Sequence, residues 1–202
     1  DICVPRASYV ANAFTNYLSM INFHDKNIKV NYRETNSFDT IKDVYEGEAN
    51  IGIIRFPIDE ESYFLHLLET KELNFEKLYQ FNYQLLFSNE NPLSFKEIIY
   101  LSDLETQIEI THGDTALPSL PIVATNRNDE TRHSKKEISV YERASQFELL
   151  NHLPHTFMWV SPIPQEVLRR FNLVTKECQE NKMSYQDLLI TRKGYRLSKE
   201  DE

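Results

Sequence analysis

Residues 50–56, NIGIIRF, are the stretch that most restricts what this chain can fold into. A near-continuous apolar run of this length, too short for a helix, reads as a strand buried on both faces, the habit of parallel sheets covered by helices. The residues before it agree. Phe38, Ile41, Val44 and Tyr45 recur at helical spacing, Asn36 or Ser37 stands at the N-cap position, and Gly47 lies just past the last turn. A capped helix delivered into a buried strand is the crossover of a strand–helix–strand unit.

The same alternation runs along the chain. ICVP (2–5) is a buried-strand candidate, and Val10, Phe14, Leu18 and Ile21 mark a helix over 8–21. NIKVNYRE (27–34) alternates like a strand, a helix is expected over 60–71, and KLYQFNYQLLFS (77–88) reads as one long aromatic strand. Residues 89–104 are expected to form a turn and a short helix, after which QIEITHGD (107–114) opens a second strand–helix series. There Ser145 and Glu148 have capping-box spacing at a helix start, TFMWVSPIP (156–164) is a strand with a short helix behind it, and SYQDLLITRKG (184–194) is the last strand. The polar stretch 125–137 is expected to be a solvated loop, and LSKEDE the start of a helix. The fold predicted is α/β, with two Rossmann-like lobes and a ligand cleft between them. Lobe I takes 1–104 and 173–202, and lobe II takes 105–172.

Composition narrows the function classes. With 26% charged and 41% hydrophobic residues over 202 positions, the chain can bury a core. A net charge of −9 argues against direct contact with nucleic acid or an anionic membrane, and no apolar run approaches the roughly 18 residues of a membrane span. The opening DICVPRASYV has neither Met nor a leader pattern, so a removed leader or a fragment of a longer protein is expected. Cys3 and Cys178 have no metal or redox spacing, which favours two reduced thiols and a cytoplasmic setting over a lone disulfide.

In open α/β sheets, ligands sit beyond the C-terminal ends of strands, where helix N-termini offer free N–H groups. An arginine recurs at four such ends: Arg6, Arg33, Arg55 and Arg143. Guanidinium groups there suit capture of a small carboxylate or phosphate. A plainer account is that charged residues collect where strands meet solvent and pair with Glu34 or Glu142. Catalytic constellations are weaker. Ser8 and Ser145 sit where serines cap helices, and His152 and His155 flank Pro154, which no zinc-binding helix accommodates. His112 could act as a base only if a carboxylate such as Asp114 oriented it. The phosphate-binding and nucleophile-elbow motifs are missing from the sequence, and Trp159 reads as core.

Four stretches carry a family resemblance: ASYVANAFTNYL, VYEGEANIGIIRF, YQLLFSNENPLSFKEIIYLSDL and YQDLLITRKGYRLSKED. Together with the order of elements they resemble the effector-binding domain of LysR-type transcriptional regulators, which have the type II periplasmic-binding-protein fold. The resemblance implies a sensor of a small effector, expected to be anionic, with no catalysis, no cofactor and no metal. It implies that DNA is held by a winged helix-turn-helix domain absent from this chain, and that domains pair side by side into homodimers or tetramers through a helix such as 8–21. It carries the effector site onto Ser8, Tyr9, Asn36, Ser37, Thr111, His112, Ser145 and Ser161, beside the arginines Arg6, Arg55 and Arg143 chosen above. One departure stands out: Pro118 and Pro121 argue against the helix that usually follows the first strand of lobe II. The alternatives are an extracytoplasmic solute-binding protein of the same fold, and a small hydrolase or transferase using His112 and Asp114.

Overall fold

The computed structural model of the protein describes residues 1–21, 29–113, 134 and 136–196. In chain order the elements are β1 (Ile2–Val4), α1 (Ser8–Met20), β2 (Tyr32–Glu34), α2 (Ser37–Glu46), β3 (Ile51–Pro57), α3 (Glu61–Thr70), β4 (Leu73–Asn82) and β5 (Gln84–Ser88). There follow β6 (Ile108–His112), β7 (Glu137–Val140), α4 (Arg143–His152), β8 (Thr156–Val160), α5 (Gln165–Arg170), β9 (Leu173–Lys176) and β10 (Ser184–Arg192). They pack as two units, Asp1–Phe81 with Ser184–Glu202, and Asn82–Met183.

In the first unit the strand order is β2-β1-β3-β10-β4. β1 runs parallel to β2 and β3, as the crossover pattern predicts. β3 is not a purely parallel strand, however. β10 lies antiparallel along it from Tyr185↔Pro57 to Thr191↔Ile51. No local pattern could announce a neighbour so distant in the chain. Gly52 has a steric reason to interrupt the apolar run: a Cβ there would meet Thr40 Cγ2 at 2.6 Å, Ile190 Cγ1 at 2.8 Å and Val44 Cγ2 at 2.9 Å. The glycine lets α2 lie close against β3, so that Ile41, Val44, Ile54, Phe56, Phe64, Leu68, Leu188 and Ile190 form one core. α2 itself begins and ends as its sequence dictates. Asn36 Oδ1 accepts from Asp39 N at 2.9 Å, and Gly47 takes φ 88° at the C-terminus.

In the second unit the order is β7-β6-β8-β5-β9, with β6 parallel to β7 and β8, and β5 antiparallel to β8 and β9. Leu85, Leu86 and Phe87 of β5 are wholly buried, Leu86 in one core cluster and Leu85 and Phe87 in another, so this short interior strand packs on both faces. Asn91, 0% exposed, holds the following turn by accepting from Leu93 N and donating to Gln107 Oε1 and Thr156 O.

Several expectations change. The aromatic run 77–88 is two strands in two sheets, broken at Tyr83, because its halves find different partners. Accordingly residues 82–104 and 173–183, predicted for lobe I, pack in the second unit. The strand predicted over 27–34 is regular only at Tyr32–Glu34, since β1 offers only three partners; residues 27 and 28 lie outside the described ones. Residues 89–104 form two short 3-10 helices, Pro92–Phe95 and Leu101–Leu104, where the sequence predicts a turn and one short helix. α4 starts at Arg143 with Glu142 as its N-cap, so Ser145 sits inside the first turn and does not cap it. The loop predicted at 125–137 falls mostly, and the helix at LSKEDE, Asp114, Pro118 and Pro121 fall, outside the described residues.

Candidate ligand-binding site

Among the described residues, helices start after the C-terminal ends of the parallel-paired strands β1, β2, β3, β7 and β8, and the predicted site residues occupy these starts unequally. At the start of α2, Asn36 is committed to Asp39, as its Nδ2 also donates to Asp39 Oδ2 at 2.7 Å. Ser37 stitches α2 to β3: its hydroxyl donates to Arg55 O at 2.6 Å and accepts from Arg55 N at 2.9 Å. Both residues therefore build the strand end.

Arg55 ends the apolar run for a structural reason. Opposite it on β10 stands Asp187, and its Nε and Nη2 donate to the two carboxylate oxygens at 2.8 and 2.7 Å. The side chains are 9% and 0% exposed, so this is a buried pair satisfied by bidentate geometry. The guanidinium lies 4.6 Å from the Phe81 ring centroid, a cation–π contact. Tyr9, in the first turn of α1, completes the cluster: its hydroxyl donates to Asp187 Oδ2 and accepts from Arg55 Nη2 at 3.2 Å. Burial pushes the Tyr9 phenol far above its ordinary value, Asp187 adds to the shift, and Arg55 partly opposes it. The charge of Arg55 is thus answered within the protein, without an anionic ligand. Ser8, one residue before Tyr9, is 7% exposed at the first position of α1, and Arg6 is half-buried at the end of β1. Arg33, the third strand-end arginine of this unit, pairs with Asp43.

In the second unit the C-terminal ends of β6, β7 and β8 share one edge of the sheet, because all three run parallel. Thr111 donates to Glu137 Oε1 at 2.6 Å, across the β6–β7 pair, with Ser139 donating to the same oxygen at 3.1 Å. His112 is tied to α4, since its Nδ1 lies 2.6 Å from Gln146 Nε2, and Gln146 is 1% exposed. Gly113 permits the ring of Tyr141 to close over the backbone; a Cβ there would come within 2.5 Å of it. Ser161 is buried just past β8. Ser145 faces elsewhere: with Glu148, Leu149, His152 and Phe171 it lines an open concavity of about 590 Å³. Helical spacing puts 145, 148, 149 and 152 on one face and Gln146 on another. The side chain of Arg143 lies outside the described residues.

Of the predicted residues, the structure joins Tyr9, Ser37 and Arg55 in one network. Asp187, Gln146 and Glu137 were not predicted. Asp187 did leave a signal, as the one charge inside the apolar strand YQDLLI, where a buried carboxylate demands a partner.

Neither a protein-family model nor a curated protein sequence matches the chain. Solved structures do. The regulatory domain of CcmR from Synechocystis PCC6803, in complex with 2-PG, is 14% identical and superimposes with a TM-score of 0.65, over 98% of this chain and 89% of that one. The effector-binding domain of QuiR in complex with shikimate is 16% identical, with a TM-score of 0.60 over 100% and 90%. The C-terminal domain of a probable LysR family regulator from Rhodococcus sp. RHA1 is 12% identical, with a TM-score of 0.61 over 99% and 93%. The chain has the fold of a LysR-type effector-binding domain. That is the type II periplasmic-binding-protein fold. The LysR-type fold extends over nearly the whole chain at identities where sequence comparison alone has little to hold.

Proposed function

We propose that this chain is the effector-sensing regulatory domain of a LysR-type transcription regulator, and that it binds a small anionic molecule at the helix starts described above. What carries the proposal is the likeness in fold along nearly the full chain to domains of that kind, two of them with a small molecule bound. Effector binding biases the domain toward one of its conformations. The domain catalyses no reaction and acts in the cytoplasm. DNA is contacted by a separate helix-turn-helix domain of the same regulator, and the regulator assembles as a homodimer or tetramer. α1 suits such pairing: only Ser8 and Val10 of its residues are buried, and Met20 is 81% exposed. Among the described residues no helix is long and apolar enough to cross a membrane.

Arg55 is matched by Asp187; we assign the anion contact to Arg6 and Arg143, together with Ser8, Tyr9, Thr111, His112 and Ser161. A thermal-shift panel of 2-PG, shikimate, other small carboxylates and phosphates, sugars and amino acids tests this. A ligand at a hundred times its Kd adds about 2.7 kcal/mol of stability. The expected result is stabilisation by a carboxylate or phosphate that is lost in Arg6→Gln or Arg143→Gln. Stabilisation by neutral compounds alone would remove the anionic assignment, and a panel with no hit would count against the sensor.

A further inference from the structure

Asp187 is a carboxylate in the middle of a strand and is wholly buried. Its partners come from separate elements: Arg55 on β3, Tyr9 on α1 and, through the guanidinium of Arg55, the ring of Phe81 on β4. Next to it Gln186, 4% exposed, donates from Nε2 to Tyr79 O on β4 at 2.9 Å and to Asp187 O at 2.8 Å. The chain leaves the first unit after Phe81 and returns at Ser184. The cluster therefore touches both strands that carry the chain out and back, close to where they do so. It also touches the first turn of α1, one residue from Ser8.

We propose that the Tyr9–Asp187–Arg55–Phe81 cluster couples the start of α1 to the connecting strands β4 and β10, and so regulates how effector contact is passed along the chain. The regulatory meaning rests on the effector-sensing proposal; the coupling itself is a property of the chain alone. The chemistry is an exchange of partners. With the Tyr9 hydroxyl on Asp187, the carboxylate is held by three donors, from Arg55 Nε, Arg55 Nη2 and Tyr9. When the hydroxyl turns to an effector at the α1 start, Asp187 keeps only the guanidinium, and β10 loses its tie to α1. These are two discrete arrangements of one hydrogen-bond network, which a ligand can bias by favouring one of them.

Hydrogen exchange followed by mass spectrometry, on the chain without any ligand, is the test. Tyr9→Phe removes one oxygen and keeps the ring. It should speed amide exchange about tenfold in segments 78–82 and 184–190, the scale expected for one hydrogen bond to a charged group. Exchange in β1 and in α2 should be unchanged. In an Asp187→Asn background the same substitution should add nothing further in those segments. Faster exchange confined to residues 7–12, a uniform rise across the unit, or effects that add independently of Asp187 would each overturn the coupling. An effector panel without hits would sink the sensor proposal and leave this exchange pattern to be judged separately.

Discussion

Tyr9 is the residue whose surroundings most change its chemistry. Its phenol is raised far above the usual tyrosine range, first by burial and then by the Asp187 charge. A free tyrosine in the unfolded chain ionises near pH 10, about its ordinary value. Above that pH the unfolded state sheds a proton that the folded state keeps, so stability is full below about pH 10 and declines as pH rises beyond it. Urea midpoints measured from pH 8 upward should fall from about pH 10, and Tyr9→Phe should flatten that fall. An identical pH slope in the variant would mean that Tyr9 is not the group responsible. The neighbouring Arg55 illustrates how one residue can answer two questions. It ends the apolar run of β3 because Asp187 faces it, and its backbone is bound by Ser37 at the start of α2.

β3 and α2 owe their close packing to one missing side chain. Gly52 lies in an extended strand, where its freedom to adopt unusual backbone angles is not needed; what matters is the space that Thr40, Val44 and Ile190 occupy. Gly52→Ala would press a methyl group into side chains already at contact, and overpacking of this kind costs about 1–3 kcal/mol. Chemical denaturation should show that loss as a lower midpoint with an unchanged slope. A variant as stable as the parent would mean that α2 can shift outward freely. The same principle separates the two halves of the 77–88 run. β4 is buried only at Leu73 and Phe81, whereas β5 is buried at four of its five positions. An edge strand and a central strand can therefore be neighbours in sequence and unlike in environment.

Each unit of the molecule has its own free thiol. Cys3 packs in the core with Ile54 and Leu188, and Cys178 in the second unit with Leu85, Phe87 and Phe157. Both are buried, and burial raises the Cys178 thiol above its usual pKa, keeping it in the less reactive protonated form. Neither should react with a thiol reagent in native buffer, and both should react once the chain is unfolded. With urea added, alkylation resolved by mass spectrometry should follow each unit through its own cysteine. Rapid labelling of Cys178 in native buffer would contradict its place in the core.

The sequence by itself determined the elements whose signals are local. Spacing of Phe38, Ile41 and Val44, the Asn36 cap and Gly47 specify α2 completely, because a helix is stabilised by residues three and four apart and by its own ends. The apolar runs likewise announced β1, β3, β6, β8 and β10, and the pattern of alternation announced an α/β chain in two units. Tertiary structure decided what depends on partners remote in the chain: the antiparallel seat of β10 beside β3, the break at Tyr83, and the allotment of 82–104 to the second unit. It also decided the chemistry of the candidate site. Arg55 looked like a cation awaiting an anion because Asp187, 132 residues later, carries no local mark of facing it. Ser145 looked like a cap because capping-box spacing cannot reveal that the helix had already begun at Arg143. Strand registers are set by the sum of buried contacts across a sheet, and that sum is visible only once the chain is folded.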